Sequence, residues 1–438
     1  MTYEALQFKL KNLIDNNPMS VYQVVIVVLC FILNMNDGID VLVVSFTATD
    51  IKNTFGLNAT ELGTIFSAGL SGMTLGCLFI APLGDKIGRR KLFLISVALI
   101  TIGMLGIYIV TNYGQILVCR FITGLGIGGI LPTMATATAE FSNNKTRDFN
   151  VGLIQGGWPL GAILTGFFVN WALPIYGWRY IFLAAGLVSL AMLIAVYFFM
   201  PESLVFLGKK QPKNAQEQIN NLLARMKQAG IESLPPKPSD DPSVSFKDLF
   251  LPEYKMATLK LWLGVFFGFL TLYTLMSWVP NIAKEAGLPT DKATYVGIAL
   301  NLGAFLGVVA MGAGVNRFGA KKVLPTFLLI AFGIMLSYAN LSLNFSLMFI
   351  LIFGIGFFVQ GGFNAFFPMA ARVYPSAMRS TGVGLTFGVG RFGAILGPQI
   401  FGIFKDSGMP ISTIFTLFSL PLLLAAYMAF TNPSKNLD

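Results

Sequence analysis

The sequence predicts an all-α polytopic membrane protein with twelve transmembrane helices. Hydrophobic residues fill 55% of the 438 positions and charged residues only 11%, whereas soluble domains carry about 25% charged residues. Apolar stretches of about 20 residues, enough for a helix to cross a hydrocarbon core, recur along the whole chain. These observations argue against a water-soluble fold.

Twelve candidate spans follow one another along the chain. Their expected limits are 21–49, 58–82, 92–111, 114–139, 149–171, 179–200, 257–280, 293–315, 323–341, 345–370, 381–403 and 411–431. The polar stretch before the first span lacks a cleavable apolar region. We therefore expect no signal peptide, and the first span itself would direct insertion.

The distribution of basic residues predicts the orientation in the membrane, because Lys and Arg in short loops stay cytoplasmic. Of the 30 Lys and Arg residues, five lie in the odd-numbered connections and two inside spans. The others lie in the even-numbered connections with their flanks and in the two terminal tails. Both termini are therefore predicted to be cytoplasmic, in a multi-pass protein of the cell inner membrane. The net charge of +10 reflects this bias and does not indicate a nucleic-acid partner.

A soluble segment divides the chain into two halves. It contains "SLPPKPSDDPS", a Pro-rich, charged run with linker composition. The predicted parts are an N-terminal tail (1–20), an N-terminal six-helix bundle (21–200), a cytoplasmic central loop (201–256), a C-terminal six-helix bundle (257–431) and a tail (432–438).

An internal repeat supports this division. Residues 147–164, "RDFNVGLIQGGWPLGAIL", align without gaps with residues 379–396, "RSTGVGLTFGVGRFGAIL", and nine of the eighteen positions are identical. A second pair of segments, separated by nearly the same number of positions along the chain, also aligns: "LGDKIGRRK" (83–91) with "GVNRFGAKK" (314–322). The halves look duplicated and related by an axis along the membrane normal, as in parallel-repeat transporters.

Several short motifs resemble those of the major facilitator superfamily. They are "GDKIGRRK" after span two, "RFITGLGIGG" in span four, "PES" after span six, and Glu140 seven residues before Arg147. Within that superfamily, "DGID" at 37–40 resembles the span-one motif of the aromatic acid:proton symporters, and "NNPMSVYQ", "GWRYIF" and "GRFGAILGP" also look like that branch.

The resemblance covers nearly the whole chain and implies a secondary transporter that imports a small organic acid with protons by alternating access. The favoured substrate is an aromatic carboxylate of the 4-hydroxybenzoate, benzoate or protocatechuate type, or a related acid such as muconate. One departure is that Asn316 and Ala320 occupy the positions of Asp85 and Arg89 in the second-half loop. A clamp there would be weaker or differently built.

Two carboxylates, Asp37 and Asp40, lie inside span one and project from one face of a helix. Gly38 between them lets another helix or a substrate approach closely. Two carboxylates this close in a low-dielectric site do not both ionise readily, and the chain has no histidine to carry a proton. The pair is therefore the predicted proton-coupling site. A structural ion pair that never changes protonation is the alternative.

Arg120 and Arg391 also lie inside spans. Each offers a permanently charged, planar fork suited to a carboxylate, so both are predicted to bind the substrate carboxylate. With the two aspartates they would make an empty cavity neutral. Either arginine could instead only brace its span, Arg120 by pairing with Asp37 or Asp40. Arg391 aligns with Pro159 in the repeat, and such a break in symmetry is a plausible place for substrate chemistry.

An aromatic substrate also needs apolar walls that carry a few polar or stacking groups. The predicted cavity residues are Gln155, Trp158, Tyr273, Trp278, Asn301, Gln360, Phe363, Asn364 and Phe367. The predicted cytoplasmic gate consists of Asp85, Arg89, Glu140, Arg147, Arg372 and Arg379. Glu140 with Arg147, and Arg372 with Arg379, would form an inner latch; otherwise these charges only set the orientation.

No metal or cofactor is expected, since the three cysteines lie in apolar spans without paired spacing; the proton gradient would supply the energy. The expected partners are the substrate, protons and the lipid bilayer, and the protein is expected to be a monomer. A sugar-porter-like carrier and a drug:proton antiporter remain alternatives. A membrane sensor or enzyme is more remote, because no catalytic constellation is visible. Glycines spaced four apart, Gly124 with Gly128 and Gly152 with Gly156, predict close helix contacts.

Overall fold

The computed structural model describes residues 3–237, 249–285, 288–340 and 345–434, without the side chains of residues 148, 290, 376, 377, 379 and 380. Within these ranges the regular structure is helical throughout. Twelve helices are long and apolar enough to cross a membrane, which confirms the predicted all-α class and the number of spans.

Most spans extend a few residues beyond at least one predicted apolar limit, whereas span two begins one residue later and spans three, six, nine and twelve end one to three residues earlier than predicted. Spans one to twelve are Val21–Phe55, Ala59–Ile87, Arg89–Tyr108, Tyr113–Phe141, Phe149–Tyr176, Trp178–Phe199, Pro252–Glu285, Asp291–Phe318, Ala320–Asn340, Phe345–Val373, Thr381–Asp406 and Ile411–Phe430. In the described part of the chain, three shorter helices lie outside them: α1 (Tyr3–Asp15), α2 (Leu204–Lys210) and α3 (Ala215–Arg225).

Local sequence signals account for the ends of span one and the start of span two. Ser20 and Gln23 form a capping box at the start of span one, which satisfies two N–H groups that the first turn leaves unpaired. The span ends at Gly56, whose φ of 65° is the left-handed conformation of a helix C-cap. Asn58 and Glu61 form a second capping box at the start of span two.

The two halves of the chain pair their helices in the same way. In the first half, span one packs on five, two on four, and three on four and six. In the second half, span seven packs on eleven, eight on ten, and nine on ten and twelve. Each pair in one half has its counterpart six spans later, as a duplicated sequence requires.

Glycine allows several of these pairs to approach closely. A side chain at Gly124 or Gly128 in span four would collide with the backbone of span two, so the predicted close contact is correct there. It is wrong for Gly152, because no described atom of another helix lies within 4 Å of the place its Cβ would take. The helix of span five is interrupted at Gly156, and Gly152, one turn before the interruption, lines a cavity.

The two halves meet along three pairs of spans: one with seven, two with eleven, and five with eight. At one end of the molecule, Ser45 of span one lies 2.9 Å from the carbonyl oxygen of Met276 and 2.8 Å from that of Ser277. Pro280 has no N–H, so it leaves the Met276 carbonyl without its helical donor. The Ser45 hydroxyl supplies the missing donor from the opposite half.

Charged side chains reinforce the same end, here called the closed end. Asp406 of span eleven accepts hydrogen bonds from the backbone N–H groups of Ala59 and Thr60 at 2.9 and 2.7 Å. A carboxylate at this position also interacts favourably with the dipole of the helix that it caps. Lys284 pairs with Asp50 at 3.0 Å across the halves. The closed end is therefore held by contacts between spans one, two, seven and eleven.

We expect Gly307→Ala to lower the thermal stability of the protein, because its Cβ would overlap the Phe357 carbonyl of span ten. Overpacking of this kind costs about 1–3 kcal/mol, which a thermal unfolding scan of the detergent-purified protein would detect. Gly333→Ala in span nine is the matched control, since no described atom lies within 4 Å of its added methyl group. Equal melting temperatures for the two variants would contradict this account of the helix contact.

Candidate functional site

A cavity of about 450 Å³ lies between the two halves. It is lined by residues from spans one, four, five, seven, eight, ten and eleven. Its lining includes exposed Phe149, Leu153 and Phe367, which lie in the parts of spans five and ten farthest from the closed end. The cavity therefore opens toward the end that carries α1.

Most of the residues predicted from the sequence come together in this cavity. Those in its lining are Asp37, Gln155, Trp158, Tyr273, Gln360, Phe363, Asn364, Phe367 and Arg391. Asp40, Arg120, Trp278 and Asn301 lie outside it. The cavity also contains Asn34 and Phe269, which the sequence reasoning missed. Asn34 lies one helical turn before Asp37, and Phe269 one turn before Tyr273, so helical spacing from predicted residues was the signal available for both.

Arg391 is the basic residue of the cavity lining. Its guanidinium lies beside the Tyr273 phenol and 5.9 Å from the centre of the Phe269 ring. Asp37 of span one is close enough to interact with it electrostatically. A guanidinium beside aromatic rings in a cavity with mostly apolar walls can bind a planar anion, because the fork pairs with the charge and the rings pack on its faces.

The Asp37 carboxylate faces the cavity with one oxygen unengaged. Its Oδ1 atom is buried and receives no hydrogen bond from the described residues. Gly38, the next residue, packs against the backbone of span five at Trp158, where a side chain would collide. Gly38 was predicted to allow the close approach of either another helix or a substrate. In the structure it is a neighbouring helix that approaches.

Asp40 lies on the same side of span one but points to span four, where it forms an ion pair with Arg120. The two side chains are 2% and 5% exposed. Gly69 of span two makes room for the guanidinium, since a Cβ there would lie 2.7 Å from the Arg120 Nη2 atom. This geometry matches the alternative in which Arg120 braces spans one and four.

Trp278 belongs to the closed end. Its Nε1 atom donates a hydrogen bond to the Pro398 carbonyl at 3.1 Å, and its ring stacks on Phe401 with centroids 4.9 Å apart. Phe66 of the first half meets the same ring edge-on at 5.5 Å. Asn301 is fully buried in span eight and donates to the Gly297 carbonyl of its own helix at 2.9 Å.

Two of the residues predicted as a gate, Arg89 and Glu140, lie together at the open end, within the first half. Arg89 forms an ion pair with Glu140, and the Ser203 hydroxyl donates to Glu140 at 2.7 Å. Glu202 accepts a hydrogen bond from the Arg89 N–H at 2.7 Å. Gly88 permits this approach, because it has a φ of 98° and a Cβ there would collide with the Glu202 carboxylate. The "GDKIGRRK" and "PES" motifs therefore form one structural unit.

The remaining gate residues have other surroundings. Arg147 forms an ion pair with Asp15 of α1 and donates to the Ala139 and Ser142 carbonyls at 3.0 and 3.1 Å, so it is not paired with Glu140 in this conformation. Asp85 and Arg372 are exposed at the ends of spans two and ten. The side chain of Arg379 lies outside the described residues. Among the described residues, no ion pair links the two halves at this end.

Comparisons with known proteins match this architecture. The family model of the Major Facilitator Superfamily matches residues 26–398 and 261–436. The gallate transporter of Pseudomonas putida is 32% identical and aligns over 96% of this chain and 94% of its own length. The 4-hydroxybenzoate transporter PcaK of Acinetobacter baylyi is 30% identical over 95% of this chain and 93% of its own. The 3-(3-hydroxy-phenyl)propionate transporter of Escherichia coli is 32% identical over 85% of each.

Solved structures show the same fold at much lower sequence identity. A D-xylose-proton symporter has a TM-score of 0.75 at 18% identity, over 95% of this chain and 99% of that one. The inward open form of the xylose transporter XylE from E. coli has a TM-score of 0.73 at 16% identity, over 93% of this chain and 95% of that one.

The Asp40–Arg120 pair makes a prediction about stability. Arg120→Gln leaves Asp40 buried without its partner, which costs about 3–5 kcal/mol, so the melting temperature of the purified protein should fall sharply. The double variant Asp40→Asn with Arg120→Gln should recover part of that loss, because no lone charge remains. Lys284→Gln breaks a half-exposed pair with Asp50 and should cost at most about 1 kcal/mol. Additive losses in the double variant would contradict the pairing.

Proposed function

The chain belongs to the major facilitator superfamily, and on this premise we propose that it imports a small aromatic carboxylate together with protons. The relatives are named as transporters, and the chain is a transporter of this superfamily and not an enzyme. The observation that carries the proposal is the position of Arg391, a cation beside Tyr273 and the Phe269 ring in the wall of the central cavity.

The proposed substrate is the class that fits this wall. A benzoate-like acid would direct its carboxylate to the Arg391 fork and pack its ring against the aromatic side chains of spans seven and ten. A neutral sugar would not neutralise the Arg391 charge, and a cationic drug would be repelled by it. The named substrates of the relatives, gallate and 4-hydroxybenzoate, belong to the proposed class.

We place the open end of the cavity at the cytoplasm. The basic residues concentrate at the end that carries α1, α2 and α3, and Lys and Arg in short loops remain cytoplasmic. With this orientation both termini are cytoplasmic and the closed end faces outward, in the inner membrane of the cell. The twelve spans would then form two six-helix bundles in an inward-facing arrangement, and rocking of one bundle against the other would expose the cavity outward.

Proton coupling follows from the balance of buried charge. Asp40 is neutralised by Arg120, whereas Asp37 faces both Arg391 and the cavity. An arriving carboxylate adds a negative charge beside Asp37, and uptake of a proton by Asp37 would restore neutrality. We therefore assign the proton to Asp37 and the carboxylate to Arg391. Arg120 would reach the substrate only if Asp40 were protonated.

We expect the purified protein in liposomes to accumulate labelled 4-hydroxybenzoate when an inward proton gradient is applied. Arg391→Ala removes the charge-assisted contact to the carboxylate and should lower the apparent affinity about 10- to 100-fold. Arg225→Ala, which changes an exposed arginine of α3, should not affect uptake. Transport of sugars, or export of cations without import of acids, would refute the proposed function.

The same liposomes separate coupling from binding. Asp37→Asn should abolish accumulation driven by the proton gradient but preserve exchange of labelled for unlabelled acid, because exchange needs no net proton movement. Full gradient-driven uptake by this variant would show that Asp37 does not carry the proton. Gradient-driven uptake by the Asp40→Asn variant would then test whether Asp40 carries the proton.

The closed end makes a further prediction. Asp406→Asn weakens the cap on span two, so it should shift the population toward the outward-open form. Spin labels at Thr111 and Ser412, exposed at this end in opposite halves, should report a larger fraction of long distances. Asp291→Asn at the exposed start of span eight is the matched control. Identical distance distributions in the two variants would exclude Asp406 from the closure.

A further inference from the structure

A second polar side chain of the cavity lies on span ten, a different span from the one that carries Arg391. The side-chain oxygen of Gln360 in span ten is buried and receives no hydrogen bond from the described residues. Its neighbour Asn364 directs its amide nitrogen to the backbone carbonyl of Gln360 at 2.9 Å and makes no hydrogen bond to the Gln360 side-chain oxygen. A buried, unpaired amide oxygen destabilises the empty protein, so a ligand that brings a donor gains that free energy on binding.

Aromatic side chains connect the span that carries Gln360 with the side chain of Arg391. Gln360, Phe363 and Phe367 share one face of span ten by their spacing. Phe363 packs on Phe269 of span seven with ring centroids 4.4 Å apart, and Arg391 of span eleven lies on the same Phe269 ring. Gln360 and Arg391 therefore line the cavity from two different spans, and the Phe269 and Phe363 rings connect these spans.

We propose that Gln360 accepts a hydrogen bond from a ring hydroxyl of the substrate, and that it sets the preference for hydroxylated acids over benzoate. The inference rests on the proposed function, since it assumes that the carboxylate lies at Arg391. A ring between the two groups directs its far edge to Gln360, so the hydroxyl must lie across the ring from the carboxylate. An acid without that hydroxyl leaves the amide oxygen unpaired, and such sites discriminate strongly against the analogue that lacks the donor.

The test measures the apparent affinities of the wild-type protein and of Gln360→Met for three acids in the liposome assay. Methionine preserves the length of the side chain but removes its amide. The affinity for 4-hydroxybenzoate should fall about 10- to 100-fold, and that for benzoate should stay within roughly threefold. The affinity for 2-hydroxybenzoate should follow that for benzoate, because its hydroxyl lies beside the carboxylate.

Gln218→Met is the matched control. It removes the same amide at an exposed position of α3, outside the cavity, and so should leave the ratio of the affinities for 4-hydroxybenzoate and benzoate within roughly threefold of the wild-type ratio. Thermal unfolding of Gln360→Met and of a second variant, Gln360→Leu, would identify any loss of folding. If both Gln360 variants are unfolded, the proposal is judged from the wild-type protein, which should bind 4-hydroxybenzoate more tightly than benzoate.

The outcomes distinguish the inference from the function on which it rests. If the wild-type protein transports no aromatic acid, the proposed function fails. If it transports benzoate and 4-hydroxybenzoate with equal affinity, the function stands and the assignment of Gln360 is overturned. An equal loss for all three acids in folded Gln360→Met would also overturn it, since it would show a general effect on the cavity.

Discussion

A charge in the hydrocarbon core of a membrane must be paired or must face water, and this requirement organises the centre of the molecule. Span one carries two carboxylates within one helical turn, and they meet the requirement differently. Asp40 is paired with Arg120 and sealed from the cavity. Asp37 lies at the cavity opposite Arg391, with an oxygen that no described group engages. One aspartate thus joins two spans, and the other remains available for chemistry.

The duplicated architecture provides the frame, and departures from the duplication provide the site. The helix pairs of the first half recur in the second, so the repeat in the sequence has a direct physical counterpart. Arg391 and Pro159 occupy equivalent positions of that repeat and both line the cavity, from opposite halves. Because one repeat has an arginine at this position and the other has a proline, the positive charge lies on one wall of the cavity only. Two identical repeats would have the same residue on both walls.

The sequence predicted the spans and most of the cavity, because hydropathy and helical spacing are local properties. It did not predict which partner each charge would choose. Arg147 pairs with Asp15 because α1 packs beside the start of span five, and Arg89 reaches Glu140 because Gly88 turns the chain toward Glu202. Trp278 and Asn301 lie away from the cavity, which the sequence also did not predict. The rotation of a buried helix about its axis depends on the neighbouring helices, and the residue pattern within one span does not determine it.

The separation of Asp40 from Arg120 by 80 positions has a consequence for the order of membrane insertion. Each acidic residue at the centre of a helix adds about 2.5–3.5 kcal/mol to the cost of inserting it. Span one leaves the ribosome before span four, so its two carboxylates first meet the bilayer without their arginines. The apolar side chains of span one, with a mean hydropathy of 1.9 in the most apolar window, must therefore offset the cost of inserting the two carboxylates until span four is inserted. Biogenesis of the protein therefore depends on how long the translocation machinery shelters span one.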